Sequence, residues 1–494
     1  MLSSSIVSKS TKKCNPLKTI SDTSIEDSSI DVAAWIRFLR EMRISKMFSE
    51  LPDQRQPGKT LYKLSSLVLW AFSACAFRTE SKNALQASLE KLKPKQRQSM
   101  LNLLEIEGGQ LPHVSTVDNA LAQIPLEDLN QIPLKLMKQL EKRKLFYNHP
   151  ELLPNNALQI GCDGFWLHTY DHPHATNEDG TNACPYCLPR TRHKGTEKEI
   201  TQWVHVTVTF VLICEDMTLP LHIYPLKAGQ INLEQSDDKL KEECELKATH
   251  AVLPMIRKQF PRTSIIFLGD ALYANRPTIR LCEKLKIDYI IVFKENTLKK
   301  LNSQCNQLAK TEIYQQYYMR KMQEKSKQGT MHKLASWFNQ ADAGEGVFTN
   351  VLRYQETLQR NDGSSEPGYN GAWICSKKLS KETCFKRADT GRMRWNHEDL
   401  HNTAKNRGFE MKHDMARANP DLLFVWKLIN FIAYFVFTLF QHTTVAKVAR
   451  GSCSLKKFAK DMLQQLIDIT WGLISQSSIL SKERVQFRYQ FDFP

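Results

Sequence analysis

The 494-residue chain contains no internal repeat, and its first 30 residues, rich in Ser, Thr and Lys, lack the apolar segment of a secretory signal. That excludes a solenoid and leaves residues 1–30 reading as a disordered tail. Its 12 cysteines are scattered through mostly apolar contexts, which excludes a disulfide frame and suits reduced thiols in a cytoplasm. Acid is the scarcer charge: Asp+Glu 52 against Lys+Arg 68 leaves a net +16, which favours a polyanionic partner. One window, Leu422 to Phe440, is apolar for the length of a membrane span, but Lys427 and Asn430 interrupt it, so it reads as a buried helix with no membrane partner.

With 41% hydrophobic residues the chain can bury a large core, and its pattern divides it. Residues 31–150 read as a helical N-terminal domain, with Leu61, Leu64, Leu67 and Val68 at core spacing and a capped helix start at His113. Residues 151–295 alternate apolar strands with helices, the signature of an α/β layer structure. An antiparallel hairpin is expected from Gln202 to Tyr224, turning at Glu215-Asp216, followed by a long helix from Asp238 to Gln259. Residues 296–372 form a basic insertion, 373–450 return to the sheet and carry a further helix entered after Asp389-Thr390, and 451–494 close the chain as a helical tail. In the insertion, Tyr314, Tyr317 and Tyr318 interleave with cations, which fits either base stacking or tyrosines packed on a core.

The chemistry concentrates in Arg394-Trp-Asn-His-Glu398-Asp-Leu-His-Asn-Thr-Ala-Lys405. On a helix Arg394, Glu398 and Lys405 share one face, a carboxylate between two cations suited to phosphate, with His401 and Asn402 beside them as further candidates for DNA contact. Two apolar runs end on acids, Ala157 to Asp163 and Ser264 to Asp270, as strands delivering carboxylates to a sheet end would. A third apolar run reaches Lys294, a further candidate for DNA contact. Three acids from separate elements can share hard divalent cations, two Mg²⁺ or Mn²⁺.

Cys162-Asp163-Gly164, Gly269-Asp270-Ala-Leu-Tyr-Ala-Asn275 and Arg394-Trp395-x-x-Glu398 with Lys405 resemble the three catalytic blocks of DDE transposases of insertion sequences. The last block resembles the branch whose signature is Tyr, two residues, Arg, three residues, Glu, six residues, Lys; here the Tyr position is Gly391. The resemblance spans roughly 155–415 and implies an RNase H-like mixed sheet flanked by helices and interrupted by an insertion, with 398 − 270 = 128 residues between the second Asp and the Glu. It further implies Asp163, Asp270 and Glu398 as catalytic ligands of two Mg²⁺, with Arg394 and Lys405 gripping DNA and the N-terminal domain binding transposon ends. A homodimer would bring those ends together near the nucleoid. An RNase H-like nuclease, or a transposase-derived DNA-binding protein without catalysis, stands as the alternative.

Cys184-Pro-Tyr-Cys187 stands apart from the other thiols, with His168, His172 and His174 before it and His193 and His205 after it. A Cys-x-x-Cys knuckle supplies two tetrahedral zinc ligands. One or two histidines would complete the set, His193 ranked first, then His205 or His168, although spacing does not choose among them; free thiols are the alternative. Related transposases carry a similar knuckle with a trailing His at this place, which favours a structural zinc.

Overall fold

The computed structural model describes residues 31–153, 155–228, 237–406, 408–411, 413, 415–416, 419–482 and 487–491. The expected tail, 1–30, lies outside the described residues, as do the side chains of His168 and Tyr317. Ten strands among the described residues join in one mixed sheet: β1 Leu158–Tyr170, β2 Leu188–Arg192, β3 Ile200–Ile213, β4 Thr218–Pro225, β5 Ile265–Gly269, β6 Asp288–Val292, β7 Met319–Ser326, β8 Gly329–Gly344, β9 Val347–Arg360 and β10 Ser365–Cys375. The order is β2-β3-β1-β5-β6-β10-β9-β8-β7, with β4 also pairing β3. β3 runs antiparallel to β1 and β4, whereas β1, β5 and β6 are parallel neighbours. The central parallel strands are nearly continuous in apolar residues because helices cover both faces, and every residue of β5 is buried.

The two faces of β1 can be told apart by contacts. Cys162 Sγ lies 3.4 Å from Thr249 Oγ1 on the Asp237–Gln259 helix. Gly161, one residue earlier and so on the other face, approaches His397 of the Asn396–Asn406 helix, where a Cβ would sit 3.4 Å from Nδ1. The sheet is therefore sandwiched between these helices, and Asp163, two residues after Gly161, faces the second.

The basic insertion extends the same sheet: β10 joins β6 through Trp373↔Val292, and β9, β8 and β7 follow outward. Tyr314 is buried and stacks on Phe338 at 4.3 Å, so core packing claims it, while Tyr318 stays 41% exposed. Leu64, Leu67 and Val68 are buried in the Leu64–Ala76 helix as their spacing requires; Leu61 is exposed because it precedes that helix. The C-terminal helices are no loose tail: Gln465 accepts from Val32 N at 3.1 Å and donates to Asp31 Oδ2 at 3.0 Å, closing Leu455–Asp468 on the first helix, Asp31–Glu41.

The expected helix start at Asp389-Thr390 is corrected. A helix already runs over Cys384–Arg392, a 3₁₀ turn covers Met393–Trp395, and only then does Asn396–Asn406 begin. Thr390 caps nothing; its hydroxyl donates to Lys386 O at 2.8 Å, which holds it inside the earlier helix. Gly391 has a steric cause: a Cβ there would lie 2.6 Å from both Cε2 and Nε1 of Trp373, a ring that is buried in the sheet. Gly391→Ala is therefore expected to destabilise the fold by about 1–3 kcal/mol through overpacking. A lower urea midpoint at unchanged m-value would register it, and an unaltered midpoint would refute the packing argument.

Candidate functional site

The ladder between β1 and β5 places the two aspartates. Its last pairs run Ile160↔Phe267 and Gly161↔Leu268, so Asp163 and Asp270, each two residues further on, are level with one another on adjacent strands. Neighbouring strands are about 4.8 Å apart, and laterally paired residues point to the same face. Asp270 follows the last residue of β5, as its sequence context suggests. Asp163 differs from expectation: it is not terminal, because β1 continues to Tyr170 along β3. The sheet opens at Asp163 because the neighbour β5 stops there.

Each carboxylate is partly engaged by backbone. Asp163 Oδ1 accepts from Gly164 N at 2.9 Å, and Asp270 Oδ1 accepts from Leu272 N at 3.0 Å, capping the 3₁₀ turn Ala271–Tyr273. Glu398 sits in the first turn of Asn396–Asn406, its Oε1 3.2 Å from Arg394 Nη2. The Arg394 side chain is 16% exposed and that of Glu398 40%, so the cation is packed while the carboxylate meets solvent. At about 100° per residue, Glu398, His401 and Lys405 lie within roughly 60° of arc on this helix, and Arg394 reaches Glu398 from the 3₁₀ turn before it. Lys405 Nζ stands 4.3 Å above the ring of Phe165, the residue two beyond Asp163 on β1.

Beneath this polar rim lies a dry histidine layer. Thr209, opposite Asp163 in the β1–β3 ladder, places Oγ1 3.0 Å from His397 Nε2 and 2.9 Å from His401 Nε2. One hydroxyl carries a single proton, so at least one imidazole must donate to it. The other side of His401 faces the acid, with Nδ1 4.0 Å from Asp163 Oδ2. Burial pushes the His401 pKa from its ordinary 6.5 down to about 3, helped by the Lys405 charge, and holds His397 well below its ordinary range. Thr209 and His397 escape sequence reading, although a Thr within an apolar strand and a His four residues before His401 are the signals that mark them.

Asn402 is exposed and turned outward, and the structure gives it no contact with this cluster. Lys294 is exposed just beyond β6, in a turn where its amide donates to Thr297 Oγ1 at 3.2 Å. Because β6 runs parallel to β5, Lys294 shares the sheet end of Asp270.

A second cluster gathers around Cys184 and Cys187. His205 Nε2 is 3.4 Å from Cys184 Sγ and 3.2 Å from Cys187 Sγ. His174 joins it, its ring centroid 5.1 Å from that of His205 and its amide donating to Cys187 Sγ at 3.2 Å. Among the described residues, His174, Cys184 and His205 make up one group of three whose ligand atoms all lie within 4.8 Å of one another. His193 is corrected: it stands exposed in a turn with φ 54°, away from the thiols, and His174 occupies the place expected for it. The bulge in β1 between Trp166 and His168 and the loop after Tyr170 bring His174 back over β3, which spacing could not disclose. Cys184 is held toward thiolate, chiefly by the Cys187 S–H and then, against burial, by the two imidazoles; Cys187 is driven the opposite way.

A scan against protein-family models matches none, and a search of curated proteins finds no match.

The buried histidines set an acid limit on stability. His222 is lowered to about 4 and His401 to about 3 from 6.5, with His397 also depressed, each chiefly by desolvation. In the folded chain they stay neutral while the unfolded chain protonates them, so stability falls as pH drops below about 6.5 toward the folded pKa values. Each such group contributes a slope of about 1.4 kcal/mol per pH unit in that window. Urea unfolding at about pH 7 and about pH 5 should show the lower midpoint in acid; equal midpoints would contradict the assignment of neutral buried imidazoles.

Proposed function

We propose that this chain is a DDE-type DNA transposase, cutting a strand at each transposon end to free a 3′-hydroxyl and joining that hydroxyl to target DNA. The observation that carries the reading is the level placement of Asp163 and Asp270 on adjacent parallel strands, under the helix that presents Glu398. The strand order β4-β3-β1-β5-β6, antiparallel across its first three strands and parallel across its last three, is the sheet that an RNase H-like core calls for. The three acids offer only hard oxygen donors, and Asp163 and Glu398 keep side chains 30% and 40% exposed, as ligands of a hydrated Mg²⁺ need. When bound, two Mg²⁺ supply Lewis-acid stabilisation of the attacking and leaving oxygens.

The protein's own groups do the rest. Arg394 holds Glu398 by a charged hydrogen bond, and Lys405 presents an ammonium over Phe165 for a phosphate oxygen. His401, neutral and braced by Thr209, fills the space behind Asp163 and keeps water from its rear. The chain works as a homodimer on DNA, since two ends must be brought together, and acts in the cytoplasm at the nucleoid. Cleavage of a labelled duplex carrying the flanking element's own ends, with Mg²⁺ or Mn²⁺, tests the reading. Native protein should cut at the element boundary and yield joined products, and Glu398→Gln should lose both. Cuts without joining would mark a nuclease, and binding without cuts would leave a DNA-binding protein.

The second cluster supports one structural zinc: His174, Cys184 and His205 bring ligand atoms within 4.8 Å of one another, and Cys187 Sγ, 3.2 Å from His205 Nε2, stands beside them as the fourth donor. Tetrahedral zinc with Zn–S of about 2.3 Å and Zn–N of about 2.0 Å sets a sulfur-to-nitrogen edge of about 3.5 Å. The separations of 3.4 and 3.2 Å from His205 Nε2 lie close to that edge. Purified protein is expected to carry about one zinc per chain by elemental analysis, and Cys187→Ser to lose it with a lower melting temperature. Metal-free native protein of unchanged stability after chelation would rule the site out.

A further inference from the structure

We infer that Tyr369, carried by the insertion strand β10, is a DNA contact of the acidic site, its phenol donating a hydrogen bond to a phosphate oxygen of the strand that Arg394 and Lys405 hold. The inference rests on the transposase reading above and adds to it a residue from outside the three acidic blocks.

The local backbone aims this ring. In the ladder between β9 and β10 the register shifts between Pro367 and Asn370, a bulge that interrupts pairing at Gly368 and Tyr369. Bulges turn a side chain out of the alternation that the pleat imposes, and they recur beside active sites. Two glycines clear its path. A Cβ at Gly368 would lie 2.8 Å from Glu356 Cβ, and one at Gly371 would lie 2.7 Å from Trp373 Cη2 and 2.9 Å from Tyr369 Oη. Tyr369 thereby stacks on the buried Trp373, with ring centroids 6.2 Å and planes 21° apart.

The other neighbours of this ring are cations. The Arg392 guanidinium stands 4.5 Å from the ring centroid. It is anchored there because Nη1 donates to Glu356 Oε1 at 2.7 Å, an oxygen that also accepts from Tyr354 at 2.6 Å. Arg394, which holds Glu398, is near enough for its charge to act on the phenol. Burial raises the Tyr369 pKa above its ordinary 10, and the two guanidiniums act against that rise. The hydroxyl therefore keeps its proton at neutral pH and remains a donor.

Among the described residues the Tyr369 hydroxyl forms no hydrogen bond. Packing accounts for the ring and not for the hydroxyl, since a phenylalanine would stack on Trp373 and beneath Arg392 as well. A half-buried donor beside two guanidiniums suits a ligand rich in anionic oxygens, and tyrosine hydroxyls are ordinary donors to DNA phosphates. Gly391 falls into the same account. Trp373 fills the space that a side chain at 391 would need, so a tyrosine at the signature position would collide with it. Tyr369 brings a phenol to the arginine ridge from β10 instead.

Tyr369→Phe keeps the ring and removes only the hydroxyl. Full-length native protein and this variant are to be compared in cleavage of the labelled duplex carrying the flanking element's own ends, with Mg²⁺. The duplex is used unmodified and then with one neutral methylphosphonate placed in turn at each phosphate beside the cut. The variant is expected to cut the unmodified duplex roughly 10–100-fold more slowly, the worth of a hydrogen bond to a charged group, at an unchanged urea midpoint. At one phosphate, neutralisation should slow native protein more than it slows the variant. Cutting by the variant at the native rate, or equal slowing of both proteins at every modified phosphate, overturns the inference and leaves the transposase reading in place. Slower cutting with a lower urea midpoint also overturns it, by making the hydroxyl part of the packing. No cutting by native protein would instead sink the transposase reading and this inference with it.

Discussion

A single buried ammonium organises the centre of this molecule. Lys427 lies inside the Pro420–Gln441 helix, a segment apolar and long enough to cross a membrane that is instead buried throughout in the protein. A charge there must be met by acceptors, and Lys427 Nζ donates to the carbonyls of Met411 and His413. Asn430 adds a bond to Phe409 O at 2.6 Å. These carbonyls belong to the chain just after the Glu398 helix, so the buried polar groups tie the end of that helix to the core.

The same helix also reaches the N-terminal helices and the Cys-x-x-Cys turn. Trp426 Nε1 donates to Asp118 in the N-terminal helices at 3.0 Å, and Tyr186, inside the Cys-x-x-Cys turn, donates to Asp421 at 2.5 Å. Arg78 lays its guanidinium over Phe409 and Phe437 at 4.3 and 4.8 Å, closing the remaining side. Removing any one partner would leave a buried donor without its acceptor, which costs more than the contact itself contributes. The candidate zinc cluster and the acidic site are thus held by one element, though neither includes a residue of it.

The acidic site divides into a wet rim and a dry floor. Glu398 and Asp163 are part-exposed, whereas His397, His401 and Thr209 below them are buried. A floor of neutral, mutually bonded polar groups resists rearrangement because each loss leaves an orphan. It also leaves the acids, together with Lys405, as the charged groups able to meet solvent there. The insertion contributes to this arrangement from a distance by lengthening the sheet beyond β6, and Trp373, where the chain re-enters the core, sets how closely the Cys384–Arg392 helix lies on the sheet.

Much of this was legible in the chain. Apolar runs marked β5 and β6, the polar turn at Glu215-Asp216 marked the β3–β4 hairpin, and periodicity marked the long helix now seen at Asp237–Gln259. Those are local properties, set by side-chain period and turn chemistry. Glu398 with Arg394 four residues before it was likewise local, since helical spacing brings them together wherever the helix lies. What sequence could not supply was pairing between distant segments. The choice of His174 over His193, the bracing of His401 by Thr209 and the loss of Tyr314 to the core all depend on which strand lies beside which. So does the level of Asp163 with Asp270, which comes from a parallel register between strands about a hundred residues apart. Composition and period determined the elements and their chemistry; the sheet order and the buried Lys427 helix alone decided which of those chemistries meet, because contact between distant segments is set by tertiary packing and not by neighbours in the chain.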